Sequence, residues 1–414
     1  MPTVLPTTLK PTPKPTLIIT SRPTKPPEKT WQPFGNIISG EGKYGHSVSL
    51  SSDAKTLVIG SPNYSNESNT NIGQVQIYTW VESTWQLVQS ITGQKSGDEF
   101  GSAVSLSSSG LTLAVSSPKS NTNGGSSGSV SVYALDETTS SWQQLGQTIN
   151  GEAAGDNFGF SLSISPDGRT LAASSPYSNK GGLSSGSVRI FTWNTETEEW
   201  VQIGSSINGS MLSFSGWSVS LSASRTIAIG ARQSGSGSVK VYTYNDDSMN
   251  WIQLGQGLTG DRSGDYYGHD ISISSNGSVL AVGAPRHDYQ AGLGITNTGQ
   301  ARVYIWTGII WSQVGQSING VESGQQLGWS VDLSADGNSI AVASYNPNSE
   351  NRGEVTVYKR KNDSWEQVGQ TMTGDGWCYD VSLDGDGTTL VGSSTNTDSI
   401  GDVRVFQFTS EEEI

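Results

Sequence analysis

Tryptophan returns at positions 31, 85, 142, 200, 251, 311 and 365, at intervals of 54, 57, 58, 51, 60 and 54 residues. A period of that length marks a supersecondary unit that cannot bury its apolar face alone, so successive units must pack on one another. Each Trp opens a segment such as WQQLGQTING, WIQLGQGLTG or WSQVGQSING, followed by a Gly/Asp-rich loop and an alternating strand such as SVSLS or SLSIS. A tight turn, SPDGRT in one block, leads into a second strand such as TLAVSS or VLAVGA. After a variable loop comes the most regular piece, a Gly, one residue and an alternating strand: GQVQIY, GSVSVY, GSVRIF, GSVKVY, GQARVY, GEVTVY and GDVRVF. Period-two alternation in every piece predicts four antiparallel strands per block.

Seven such sheets arranged radially give an all-β fold, a seven-bladed β-propeller of four-stranded antiparallel blades. The Trp31 segment precedes the first full set of three strands, and the last set, ending near Phe408, has no Trp segment after it. The N-terminal strand is therefore expected to complete the last blade and remove an open seam. Pro33 suits the outer edge position that this strand would take. With only 33% apolar residues and 51 Gly, the composition favours short strands and tight turns. The abundant Ser of the alternating strands reads as small filler between blades. Residues 1–30 hold eight of the fifteen prolines and read as a disordered Pro/Thr-rich linker or stalk; 31–408 form the propeller, and 409–414 an acidic tail.

A net charge of -14 leaves no basic stripe for phosphates, which disfavours nucleic acid and anionic membrane surfaces. No stretch approaches the roughly 20 apolar residues that insert into a bilayer. The lone Cys378 permits no internal disulfide and reads as a buried small residue.

The dipeptides FG at 100–101 and 158–159, YG at 44–45 and 267–268, and GAP at 283–285 resemble the FG-GAP repeats of the integrin α-subunit type of seven-bladed propeller, over roughly residues 31–408. WD-repeat and kelch propellers are rivals, but no Trp-Asp pair closes the blocks, and the spacing exceeds a WD repeat. The resemblance implies an extracellular or cell-surface binding module. It also implies Ca²⁺ in the hairpin between the first two strands of a blade. Only Asp384 and Asp386 share one such turn, too few anionic oxygens for a hard cation, so no metal or cofactor is expected. Asp-Gly and Asn-Gly turns explain these residues without one.

Aligning the blocks on the first strand puts His46, Ser102, Phe160, Trp217, His269, Trp329 and Tyr379 at one equivalent position, directly after FG or its substitute. Six of these side chains are aromatic or imidazole, a ring suited to stacking on a sugar or gripping a peptide loop at the channel mouth. The competing reading is that they plug the channel or pack between blades. The long loops between second and third strands are expected on the same face, where recognition usually resides. Among them Arg286, His287, Asp288 and Tyr289 form the best-equipped tip. All three histidines, His46, His269 and His287, fall on this face; His269 and His287 share a blade, while His46 is too remote for a three-His zinc site.

The leading expectation is a non-enzymatic module that engages a protein or glycan through loops on one face. A multivalent lectin with inter-blade sugar pockets is the alternative. A propeller lyase or glycosidase using His269, Arg286 or His287 ranks last, since no nucleophile motif or acidic dyad stands out. Sequons at Asn63, Asn66, Asn208, Asn276 and Asn362 permit an extracellular life without demonstrating one.

Overall fold

The computed structural model describes residues 29–409 except 234, 290–293, 346–352, 374–376 and 396–399, with backbone alone at 377 and 395. The proline-rich segment, save its last two residues, and the acidic tail after 409 lie outside the described residues. The described chain forms seven antiparallel sheets, one per sequence block. Blade 1 comprises Ser47–Leu50, Thr56–Ser61, Gln74–Val81 and Thr84–Thr92 from the inside outward. In the other six blades the outer strand breaks and resumes as a short segment on the same third strand, as Ile149–Asn150 does in blade 2.

Closure is as the order of the blocks predicts. Blade 7 takes Trp377–Leu383, Thr389–Thr395 and Ile400–Thr409 from the end of the chain and Thr30–Pro33 from its beginning. Thr30 pairs with Thr409 and Pro33 with Phe406, so the proline sits on the outer edge, where its missing N–H costs no ladder bond.

Second strands such as TLAASS (Thr170–Ser175) and TIAIGA (Thr226–Ala231) are buried at every residue. Each is covered on both faces by neighbouring blades, which explains the small Ala, Ser and Gly alternating with Leu and Ile. The Gly that opens each third strand has a separate cause. Gly128 has φ +85°, and a Cβ there would lie 2.2 Å from the carbonyl oxygen of Phe158, with which it forms an isolated parallel bridge. Gly73, Gly186, Gly237 and Gly299 make the same bridge to the next blade.

Two sets of side chains join the blades. Gln147 clamps the Trp200 backbone, accepting from its N–H at 2.9 Å and donating to its carbonyl at 2.8 Å, while the Trp200 indole donates to Leu145 O. Gln89, Gln256, Gln316 and Gln370 hold Trp142, Trp311, Trp365 and Trp31 in the same way. Around the axis, Ser49, Ser105, Ser163, Ser220, Ser272, Asp332 and Ser382 each accept the N–H of the next blade's innermost strand, in an unbroken circuit. These serines are therefore connectors, not filler: a short hydroxyl satisfies an inner-strand N–H that has no ladder partner on the channel side.

Candidate functional site

The inner strands leave a channel, and at the end where each blade's chain enters, it widens into a cavity of about 590 Å³. His46, Ser102, Phe160, Trp217, His269, Trp329 and Tyr379 all line it. Pseudo-sevenfold symmetry brings equivalent residues to equal radius, so the alignment by sequence became a ring in space. Its rings touch in series: His46 on Tyr379 at 4.7 Å between centroids, Tyr379 to Trp329 at 6.1 Å, Trp329 to His269 at 4.5 Å, His269 to Trp217 at 6.3 Å, and Trp217 to Phe160 at 4.6 Å. The arc is open at blade 2, where the Ser102 hydroxyl donates to Glu99 O and Lys119 lines the wall. Tyr177 extends it outward from Phe160 at 6.0 Å, and Tyr345 stacks on Trp329 at 4.4 Å.

Arg232, from the short ARQSGSG loop, is the side chain most involved with this ring. Its guanidinium carbon lies 3.2 Å from the Trp217 ring centroid and 4.7 Å from that of Tyr266, and Nη1 reaches Nδ1 of His269 at 3.3 Å. Burial lowers its pKa to about 10. Burial also lowers His269 to about 3, with Arg232 and Arg286 adding to it, and lowers His46 to about 4, with a further push from Lys43. Both imidazoles are thus neutral at pH 7, and His269 accepts from Arg232 through Nδ1, which places its proton on Nε2.

Below the rings the channel narrows past Asp270, Asp332 and Asp380. Asp270 accepts from the Val331 and Ile271 N–H groups; Asp380 accepts from Val48 N, Val381 N and the Ser330 hydroxyl. Asp332 accepts from Leu383 N, Leu333 N and the Ser272 hydroxyl. Desolvation raises Asp270 and Asp332 to about 6 and Asp380 to about 7, against the pull of these hydrogen bonds. Sequence reasoning passed over them and over Arg232. The signal was available for Asp332, a carboxylate where the six other blades carry Ser at the same inner-strand position.

The Arg286–Tyr289 tip is built rather than loose. Arg286 lies over the Tyr266 ring at 4.3 Å and donates to its hydroxyl, while Asp288 accepts from Asn297 N. His287 is buried, its Nδ1 3.0 Å from the equally buried Asp265. His269 and His287 therefore find separate partners, Arg232 and Asp265. A ligand on this face would meet Arg286 and the half-exposed Tyr289 before the ring of His287.

In the hairpin turns, Asp384 accepts from Thr388 N and Thr389 N, and Asp386 from the Thr388 hydroxyl; Asp53, Asp167, Asn276 and Asp336 close their own turns similarly. Among the described residues no group of three or more His, Cys, Asp or Glu side chains could hold a metal ion. Burial pushes the Cys378 thiol far up, away from reactive thiolate. No helix of the described residues is long and apolar enough to cross a membrane.

Residues 85–133, from the outer strand of blade 1 to the third strand of blade 2, match the family described as FG-GAP repeat. With the same strand pattern repeated in seven sheets, this match supports an FG-GAP-type propeller. No curated protein matches the chain.

Proposed function

We propose that the protein is a non-enzymatic binding module, at work outside the cell or at its surface, whose channel mouth engages a protein loop or a glycan. The observation that carries this reading is the arc of six rings around an open cavity of about 590 Å³, with Arg232 spread on one of them. Rings that serve only to plug a channel would close it. Here they line a space large enough for a side chain or a sugar, with hydrogen-bonding groups of Arg232, Lys119 and Ser102 on the same wall. Neutral imidazoles at His46 and His269 add donors and acceptors without placing a second buried charge beside Arg232.

The test is capture of partners on immobilised full-length chain, comparing wild type with the double variant Trp217→Ala, Trp329→Ala. Retained far-ultraviolet dichroism with at least tenfold weaker capture of the identified partner is expected. Equal capture by the variant rejects the mouth as the site. A glycan array run in parallel decides between sugar and protein.

A further inference from the structure

Blade 4 differs from its neighbours at the residue that precedes the ring position by two. Blades 1, 2, 3, 5 and 6 put Tyr44, Phe100, Phe158, Tyr267 and Leu327 there, all buried. The lead-in of blade 4, GSMLSFSG, is one residue shorter than GEAAGDNFG in blade 3. That shift leaves Ser215 at the position, while Phe214, at φ +53°, turns to the rim against Tyr177 at 5.6 Å. The backbone register is unchanged, since Gly186 bridges Ser215 as Gly128 bridges Phe158. What remains is a cavity of about 80 Å³, walled by Asn208, Ser213, Ser215, Ile229, Lys240 and Tyr242, among others. It shares no lining residue with the mouth.

The other blades show what this location holds. In blade 1 the Tyr44 hydroxyl lies 2.9 Å from Gln76 Oε1 and 2.9 Å from the Tyr78 hydroxyl. Gln76 and Tyr78 of GQVQIY correspond to Lys240 and Tyr242 of GSVKVY. In blade 5 the Tyr267 phenol has Tyr304 and Arg302 beside it, again the two equivalent positions. In blade 3 the guanidinium of Arg189, at the Lys240 position, stacks 4.0 Å above the Phe158 ring. In blades 1, 3 and 5 the site holds an aromatic ring, with a cation or amide beside it and a tyrosine or phenylalanine beyond. In blade 4 both flanking groups are present and the ring is not. Lys240 is exposed and makes no ion pair among the described residues.

We propose that the blade 4 pocket binds a phenolic ring supplied from outside, either a tyrosyl side chain of a partner or a free phenol. The ring takes the place that Tyr267 takes in blade 5, with its hydroxyl toward Lys240 and Tyr242. The site does not depend on the mouth, and its failure would leave that reading untouched.

The probes are 4-methylphenol and a capped Gly-Tyr-Gly peptide, titrated into the full chain with calorimetry and saturation-transfer difference spectroscopy. Saturable binding at one site per chain is expected. It should weaken at least tenfold in Ser215→Tyr, which fills the pocket from within as blades 1 and 5 do. Ser215→Leu, which copies Leu327 of blade 6, serves if the tyrosine variant does not fold. Lys240→Met should weaken binding about two- to fivefold, the size of an exposed cation–π contact. Binding of the peptide identifies a tyrosyl side chain as the source, and binding of 4-methylphenol alone identifies a small phenol. Absence of saturable binding by either probe, unchanged binding in both Ser215 variants, or loss of binding in the Trp217→Ala, Trp329→Ala variant overturns the proposal.

Discussion

Replacing Trp31 with alanine separates the role of ring closure from the cost of losing a buried indole, because Trp200 provides a matched control. Both side chains are almost wholly buried, at 1% and 3% exposed, both donate through Nε1 to a carbonyl of the adjacent blade, and both have backbones clamped by a glutamine. Loss of either indole should cost about 3–5 kcal/mol in transfer and cavity terms, with about 1 kcal/mol more from the abandoned carbonyl. The consequences differ in place. The strand around Trp200 is tethered to the chain on both sides within the ring, whereas Thr30–Pro33 is held by its pairing with Phe406–Thr409 and by a connection on one side into the ring. Trp31→Ala should therefore release the terminal strand and leave Phe406–Thr409 as an open edge, while Ile38–Glu41 stays paired with Ile400–Val403. If about 3 kcal/mol of the loss appears as local opening, amides of residues 406–409 exchange roughly a hundredfold faster. Hydrogen exchange read by mass spectrometry measures this directly. If exchange over 406–409 in Trp31→Ala is no faster than in Trp200→Ala, closure by that strand is refuted.

Two glycines with nearly the same backbone angle should respond unequally to alanine. Gly128→Ala, whose Cβ meets Phe158 O at 2.2 Å, should cost roughly 3 kcal/mol or more, and Gly155→Ala, at φ +82° with nothing within 4 Å, only about 1 kcal/mol of strain; thermal unfolding of the pair checks the difference. The channel groups predict a pH effect of mixed sign. Asp270, Asp332 and Asp380, raised to about 6, 6 and 7, hold protons more tightly folded than unfolded, so their contribution falls as pH rises from about 4 to 7. His46 and His269, lowered to about 4 and 3, act oppositely: their contribution is full above pH 6.5 and is lost as pH falls from there through about 4 and 3. The double variant His46→Gln, His269→Gln should then gain more melting temperature than wild type on going from pH 7.5 to pH 5; an equal or smaller gain contradicts the assignment.

The fold was legible because its strongest constraints are periodic. Tryptophan, the Gly before each third strand, and alternating strands recur at blade spacing, and closure followed from the order of the segments. The ring of His46, Phe160, Trp217, His269, Trp329 and Tyr379 was legible for the same reason, since equivalent positions in a propeller share a radius. What stayed hidden depends on contacts between blades. Gln147 recurs in register as Gln256, Gln316 and Gln370, but the Trp200 backbone that it clamps stands 53 residues away in the next blade. The inner-strand serines read as small residues until the N–H groups of the next blade appear above their hydroxyls. Arg232 was overlooked because its loop is the shortest, although it directly follows the second strand, where blades 1, 2, 3 and 5 carry Pro. The pocket beside Ser215 follows from a one-residue deletion that an alignment shows, but only the filled equivalents at Tyr44 and Tyr267 give it meaning.

Thr30 and Thr409 face one another across the seam, so the two limits of the propeller are already neighbours. Where the polypeptide is cut is then incidental to the architecture: joining those limits through a brief spacer and opening the exposed turn after Asp136 would produce a circular permutant with every sheet intact. The point on the circumference from which the chain departs could thereby be chosen by the position of the nick alone.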